Sequence, residues 1–272
     1  MQQLKQQIER HIGEADGTWA IALEDEDFQE TWVLNSAEPF FAASIIKLPI
    51  MATVFALADR GQFRLGDTLV LHKEDQVGGC GVLQHMSPGI ELSIYDVLTL
   101  MIIQSDNTAT NMLIDLVSRK EIQVMMDELG MANSSFYTKL MTVPVNTPGR
   151  NTICVSDINR LLKRVVTGQC ISLYACEQMI SIMKKQQITN GFSDFLPKGD
   201  SSIVGANPKW EIASKSGNVI GIHHDAAIFY VGDRTLIVTV LSKECEREVA
   251  RKTFAKIGKD IYAYMEKTTI VS

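Results

Sequence analysis

The sequence predicts a mixed α/β (α+β) fold, in which an antiparallel five-stranded sheet is flanked by the N- and C-terminal helices and an all-helical lobe is inserted. Three observations predict it. Apolar residues alternate with a period of two near both ends of the chain, helical periodicity dominates the long middle, and an amphipathic helical pattern begins and ends the chain. A single sheet covered by helices is the simplest way to bury these apolar faces.

The first elements are a helix and two paired strands. Leu4, Ile8 and Ile12 recur at helical spacing. Residues 18–23 and 31–34 then alternate as strands. We expect the acidic run 24–27 between them to be a solvated turn.

The middle of the chain is predicted to be helical. A helix over residues 44–60 ends at Gly61, and Pro49 within it removes one backbone donor and is expected to bend the early turns. Ser93 is typical of a residue that caps a helix. Further helices are predicted over 94–103, 108–117, 120–129, 156–166 and 172–185, with a break at 104–107.

Strand periodicity returns near residue 210. Three strands are predicted over 210–215, 226–231 and 235–241, followed by a closing amphipathic helix. The predicted organisation is therefore a sheet domain of residues 1–60 plus 206–272 and an inserted all-α domain of residues 61–205. The active site is expected in the cleft between them.

Composition excludes several classes of function. The net charge of −6 argues against nucleic acid as a partner. The most apolar run, 97–103, is far shorter than the roughly 20 residues that span a membrane. The five cysteines contain no C-x-x-C pair, and we expect neither a metal nor an organic cofactor. We expect a monomer that is cytoplasmic as the sequence stands, or secreted or periplasmic if a signal peptide was removed.

A serine and a lysine three residues apart form the first candidate for catalysis, Ser44 and Lys47. Residues at this spacing share one helix face, so a desolvated lysine amine can act as a base toward the hydroxyl. The alternative is that Ser44 simply caps a helix. Spacing alone cannot separate the two, because Ser181 and Lys184 repeat it.

Two further motifs favour the catalytic interpretation. Ser105-Asp106-Asn107 lies in the predicted helix break, where a serine can relay a proton and an asparagine can hold a substrate amide. Lys215-Ser216-Gly217 is predicted to end a strand. These residues offer a carboxylate anchor, a relay hydroxyl and room for close approach of a substrate.

These three motifs, in this order, make the chain similar to the class A β-lactamases and their penicillin-binding relatives. The resemblance extends over nearly the whole length and includes segments 61–67, 98–111 and 215–218. It implies a β-lactamase/transpeptidase-like fold and a small-molecule substrate, either a β-lactam or an acyl-D-Ala-D-Ala-like amide.

The resemblance also implies a role for each residue. Ser44 would be the acylated nucleophile and Lys47 its proton acceptor or relay. Ser105 would pass a proton to the lactam nitrogen, and Asn107 would bind the side-chain amide of the substrate.

The remaining implied roles fall on the strand motif. Lys215 and Ser216 would hold the substrate carboxylate, with Gly217 beside them. The backbone N–H groups of Ser44 and Asn218 would form the oxyanion hole. One of the adjacent histidines 223 and 224, which we take to be His224, would contact the same carboxylate.

The sequence departs from the family in the loop before Arg150. Class A β-lactamases carry a glutamate there that activates the deacylating water, but residues 129–156 contain no Asp or Glu. Asn151 replaces a family aspartate, so a loop-fixing ion pair becomes at most a neutral hydrogen bond. Asn146 could hold a water but could not take its proton. Since general-base assistance contributes about 10²–10⁴-fold, we expect acylation with slow deacylation.

Three other functions stay open. The chain could be a penicillin-binding or D-Ala-D-Ala peptidase-like protein, a cytoplasmic esterase or amidase on the same fold, or a covalent β-lactam sensor without turnover. Two other features have simpler interpretations. Adjacent histidines on a strand point to opposite faces and cannot chelate one ion, and Cys80 in Gly-Gly-Cys-Gly fits a tight loop at the cleft rim better than a reactive thiol.

Overall fold

The computed structural model describes residues 1–141, 149–197 and 208–267. The helices of this part are α1 (Gln2–Gly13), α2 (Lys47–Asp59), α3 (Ile94–Ile103), α4 (Asn107–Val117), α5 (Arg119–Glu128), α6 (Val155–Val166), α7 (Leu173–Lys184) and α8 (Arg247–Lys267). The strands are β1 (Thr18–Asp25), β2 (Glu30–Leu34), β3 (Phe40–Phe41), β4 (Thr68–Val70), β5 (Glu91–Ser93), β6 (Thr152–Ile153), β7 (Trp210–Val219), β8 (Ile222–Val231) and β9 (Arg234–Lys243). None of these helices is long and apolar enough to cross a membrane.

Five of the strands form the predicted antiparallel sheet, in the order β2-β1-β9-β8-β7. Successive side chains alternate between its faces. One face, with Phe229 and Val238, packs in a core with residues of α1 and α8. The other face, with Ala226 and Ile237, belongs to a core shared with the helical lobe. The predicted fold class is confirmed, and β7 is an edge strand.

Helix α2 lies inside the helical lobe, packed against α3, α4, α5 and α7. It is apolar on every side, with buried residues from Lys47 to Leu57. A 3₁₀ turn, Ala43–Ile46, precedes it, so α2 begins three residues later than predicted. Pro49 therefore falls in the first turn, where a missing N–H costs no intrahelical bond. The division at residue 60 into two domains stays a prediction.

The expectation of a solvated acidic turn at 24–27 was wrong for Asp25. Its carboxylate is fully buried and forms an ion pair with Arg234, which is also buried. The hydroxyl of Tyr264 donates to the same carboxylate at 2.7 Å, and Glu24 pairs with Lys163. The partners of the acidic run come from α6, β9 and α8, which is why its local composition gave no indication of burial.

Candidate active site

The predicted nucleophile Ser44 lies in the 3₁₀ turn before α2. The preceding residue, Ala43, has a φ of 43°, which is unusual for a residue with a Cβ atom and indicates local strain. Neither the turn nor α2 is capped by a side chain, which argues against the capping alternative for Ser44. Its hydroxyl oxygen instead lies 3.0 Å from Lys47 Nζ and 2.8 Å from Ser105 Oγ.

Lys47 is fully buried beneath this serine. Its Nζ lies 2.7 Å from the Ser105 carbonyl oxygen, 3.0 Å from Ser105 Oγ and 3.0 Å from Asn107 Oδ1. Burial, together with the charge of Lys215, lowers the pKa of Lys47 well below its usual value. A neutral amine has one lone pair, so Lys47 can accept the proton of the Ser44 hydroxyl.

The Ser105-Asp106-Asn107 motif forms the break between α3 and α4, as predicted. Ser105 has a φ of 52°, which turns the chain sharply at this point. Lys215 Nζ donates to Ser105 Oγ at 3.1 Å. A continuous chain of contacts therefore runs from Lys215 through Ser105 and Ser44 to Lys47, and protons can pass along it.

Asp106 holds the rim of the cleft, a role that the sequence analysis did not assign. Its buried carboxylate caps α4 through the Ala109 N–H at 2.9 Å and accepts from the N–H groups of Val82 and Leu83 at 2.7 and 2.9 Å. A Cβ atom on Gly81 would lie 2.2 Å from Asp106 Cγ, which explains the glycine. The indication available in the sequence was that Asp106 lies between Ser105 and Asn107 in the motif.

The loop held by Asp106 includes Cys80, which is exposed. The carbonyl of Cys80 accepts from the Asn107 N–H at 3.0 Å, and the carbonyl of Gly78 accepts from Asn107 Nδ2 at 3.1 Å. These bonds support the interpretation of a tight loop beside the motif. They also orient the Asn107 side chain, whose other end contacts Lys47.

Lys215, Ser216 and Gly217 lie within β7 and not at its end, because the strand continues to Val219. Lys215 is fully buried, and burial lowers its pKa to about 8. A Cβ atom on Gly217 would lie 2.9 Å from the backbone N of Ser44. The glycine therefore allows β7 to pack against the nucleophile, a reason that the sequence analysis did not give.

The ring of His224 is held by backbone groups. It is buried; its Nε2 lies 2.9 Å from the Phe41 carbonyl oxygen, and its Nδ1 lies 2.8 Å from the His223 carbonyl oxygen and 3.3 Å from the Ser242 N. Burial lowers the pKa of His224 to about 4, so the ring is neutral and its one N–H can be donated to only one of the two carbonyls. His223 and His224 both line a polar pocket with Ser216 and Asn218, so His223 joins His224 as a candidate contact of the substrate carboxylate.

The same pocket contains residues that the sequence analysis missed, namely Asp225 on β8 and Arg247 on α8. Asp225 lies directly opposite Ser216 in the pairing of β8 with β7. The indication available in the sequence was that Asp225 is a charged residue directly before the apolar stretch of β8. Arg247 carried no such signal, because it is one of several exposed charged residues at the start of α8.

The loop between α5 and α6 is held by two asparagines. Asn151 Oδ1 accepts from the N–H groups of Tyr137 and Thr138 at 2.7 and 3.0 Å, and its Nδ2 donates to the Thr138 carbonyl at 2.9 Å. Asn111 makes two bonds to the backbone of Leu140, at 2.9 and 3.0 Å. Asn151 thus makes neutral hydrogen bonds, as expected. Asn146 lies outside the described residues.

The chain resembles known proteins over nearly its whole length. Residues 3–265 match the model of the β-lactamase enzyme family. No curated protein matches the chain.

Solved structures share the fold. A β-lactamase from Sphaerobacter thermophilus DSM 20745 is 27% identical, with a TM-score of 0.87 over 99% of this chain and 98% of that one. PBP-A is 24% identical, with a TM-score of 0.82 over 97% and 96%. TLA-3 extended-spectrum β-lactamase is 19% identical, with a TM-score of 0.85 over 97% and 98%. A mutant of PBP-A is known as an acyl-enzyme complex with penicillin G.

Proposed function

Because this chain belongs to the β-lactamase enzyme family, we propose that it is a serine hydrolase acylated at Ser44 by β-lactams and deacylated slowly. One observation carries the proposal. The Ser44 hydroxyl contacts both the Ser105 hydroxyl and a buried lysine that has no carboxylate partner among the described residues. This arrangement can remove a proton from Ser44 and deliver a proton to a leaving group.

Acylation follows from the chain of contacts. Lys47 takes the Ser44 proton as the oxygen attacks the lactam carbonyl, and the N–H groups of Ser44 and Asn218 stabilise the oxyanion. The C–N bond of the ring then breaks while Ser105 gives its proton to the lactam nitrogen. Ser105 recovers a proton from Lys47 or Lys215, each of which lies within 3.1 Å of its hydroxyl oxygen.

Substrate binding is proposed for the two walls of the cleft. Asn107 would hold the amide of the acyl side chain, from the loop side. Lys215 and Ser216 on β7 would hold the substrate carboxylate. His223 and Arg247 line the adjoining pocket. Arg247 would add positive potential, and the neutral ring of His223 would add a hydrogen-bonding group.

The described residues around Ser44 offer no evident base for deacylation. The described partners of Lys47 are hydroxyls, a carbonyl and an amide, and none is a carboxylate. Asp106 already accepts three backbone N–H bonds and is committed to structure. The loss of general-base assistance is worth about 10²–10⁴-fold in rate, so the acyl-enzyme is expected to persist. The penicillin G acyl-enzyme of a PBP-A mutant supports a fold able to retain such an adduct.

The test is intact-mass measurement after exposure to penicillin G. We expect one adduct on the wild-type chain within the mixing time of the experiment and none on Ser44→Ala. Ser181→Ala is the matched control, because Ser181 has the same spacing to a lysine, and it should be acylated like wild type. No adduct and no hydrolysis of any β-lactam would overturn the proposal and favour an esterase or amidase.

Turnover of a chromogenic cephalosporin separates the remaining functions. Slow release beyond one equivalent per chain is the expected result. Release that stops at one equivalent would favour a covalent sensor. Rapid turnover would refute slow deacylation and would require a base that the described residues do not include.

A further inference from the structure

A polar pocket lies on the side of β7 to which Ser216 and Asn218 project. Its cavity volume is about 20 Å³, room for about one water molecule, between β7, β8, α8 and the segment that contains Asn190 and Gly191. The pocket therefore adjoins the place proposed for the substrate carboxylate. It is separate from the hydrogen-bonded group of Ser44, Lys47 and Ser105.

Two buried polar atoms in this pocket have no hydrogen-bond partner among the described residues, His223 Nε2 and Asp225 Oδ1. Their residues are 6% and 5% exposed. The other Asp225 oxygen accepts from the Phe192 N–H at 3.0 Å. Since buried polar atoms are nearly always paired, both atoms are oriented toward a polar ligand or water.

The protonation state of His223 follows from its neighbour. Its Nδ1 lies 3.0 Å from Asn218 Oδ1, an oxygen that can only accept, so Nδ1 carries the hydrogen. Burial lowers the pKa of His223, which favours the neutral ring. Nε2 is then the unprotonated nitrogen, and it can accept a hydrogen bond.

The charged groups around Asp225 come from three elements. Lys215 approaches from β7, and Arg247 and Arg251 line the pocket from α8. Arg251 is paired with Asp194 at 2.9 Å and with Glu248 at 3.2 Å, so much of its charge is neutralised.

Asp225 thus has no ion-pair partner within the described residues. Burial raises its pKa to about 7, against the opposing effect of Lys215. A proton can be gained or lost there near neutral pH.

We infer that Asp225 takes up a proton from solvent when the carboxylate of a substrate binds beside Ser216, and that its protonated carboxyl then serves as a donor in this pocket. The inference rests on the proposed function, which places a carboxylate there. Ser216 and Asp225 are directly opposite in adjacent strands. Two carboxylates this close cannot both stay ionised at low cost, and the one already in a desolvated position is neutralised.

Isothermal titration calorimetry tests the inference on Ser44→Ala, which binds without turnover. The ligands are penicillin G and its methyl ester, each titrated at pH 7.5 in two buffers of different ionisation enthalpy. A carboxyl that titrates near 7 is about three-quarters ionised at pH 7.5, so Asp225 should take up about 0.7 proton when penicillin G binds. Lys215, whose pKa is about 8, is about one-quarter neutral at this pH and should add about 0.2 proton. The methyl ester should take up none.

Two further variants identify the group that takes the proton. Ser44→Ala with Asp225→Asn keeps an oxygen for the Phe192 N–H and should lose the larger part of the proton uptake, leaving only the contribution of Lys215, about 0.2 proton. Ser44→Ala with His223→Gln should keep it. If the Asn variant fails to fold, the pH dependence of Ser44→Ala decides. Its affinity for penicillin G should weaken about fivefold from pH 5.5 to 7.5, about fourfold of it from Asp225, while its affinity for the ester stays constant.

Binding of penicillin G without proton uptake would overturn the inference and leave the proposed function intact. Equal uptake by the Asp225→Asn variant or with the methyl ester would overturn it too. If penicillin G neither binds Ser44→Ala nor acylates the wild-type chain, the inference and the proposed function both fail.

Discussion

Gly217→Ala should slow acylation of Ser44 without unfolding the protein. The new Cβ atom would lie 2.9 Å from the backbone N of Ser44 and 3.2 Å from both the Ala43 Cβ and the Ile45 N. Two of these three atoms belong to the backbone of the nucleophile turn and cannot rotate away. Strand β7 must therefore move off the turn, and it carries the neighbouring Asn218 N–H with it.

The size of the effect follows from the distances. Ordinary contacts of a Cβ atom begin at 3.4 Å, so the strand has to shift by about 0.5 Å from its present contact of 2.9 Å. A misplacement of about 1 Å costs on the order of 100-fold in rate, and loss of one oxyanion donor costs about 10²–10³-fold. We expect acylation to slow by about 10- to 100-fold, with an overpacking cost of about 1–3 kcal/mol in stability.

The assay is the rate of penicillin adduct formation, followed by quenched intact-mass measurements, alongside thermal unfolding. Gly66→Ala is the control, because nothing lies within 4 Å of its added Cβ, and it should acylate like wild type. If the Gly217→Ala protein is folded and its acylation rate stays within threefold of wild type, the close packing of β7 on the nucleophile has no catalytic consequence.

Three other perturbations have defined outcomes. The rate of acylation by penicillin G should decline above pH about 8, because burial lowers the pKa of Lys215 to about 8 and the neutral amine no longer attracts a carboxylate. pH–rate profiles measured with the methyl ester should lack this decline. Asp106→Ala removes three hydrogen bonds from backbone N–H groups and should lower the free energy of urea unfolding by about 3 kcal/mol or more. Acylation should also slow, because the loop that contains Val82 and Leu83 is no longer held beside the site. Asp25→Asn should cost up to about 3 kcal/mol, because the buried Arg234 loses its closer counter-ion and keeps the longer contact with Asp27. Glu128→Gln, in an exposed pair, should change stability by less than about 1 kcal/mol.

The elements of the fold were predictable because their signals are local. Helical and strand periodicities predicted the sheet strands and the long helices to within a few residues, although β8 begins four residues before its predicted start. The two-residue strands β3 and β6 had no periodicity to detect, since pairing between Phe40 and Ile153 is a property of the folded chain. The prediction of a solvated turn at 24–27 was wrong for the same reason, because the partners of Asp25 are distant in sequence.

The motifs of the site were predictable, but their contacts were not. Ser44 and Lys47 share a local spacing, whereas Lys215 reaches Ser105 across 110 residues of sequence. His224 was a candidate from its position, but its contacts with the Phe41 and His223 carbonyls are properties of the folded chain. His223, one residue away, lines the same pocket.

From the sequence alone come the family, the order of the motifs and the lack of an acid in residues 129–156, because each is a pattern of residue types along the chain. Only the tertiary structure places two buried lysines around one pair of hydroxyls, packs Gly217 on the nucleophile and sets Asp225 behind Ser216. The physical reason is that pKa values and steric fit depend on desolvation and on neighbours in space, and the strands and helices that supply those neighbours are distant in sequence.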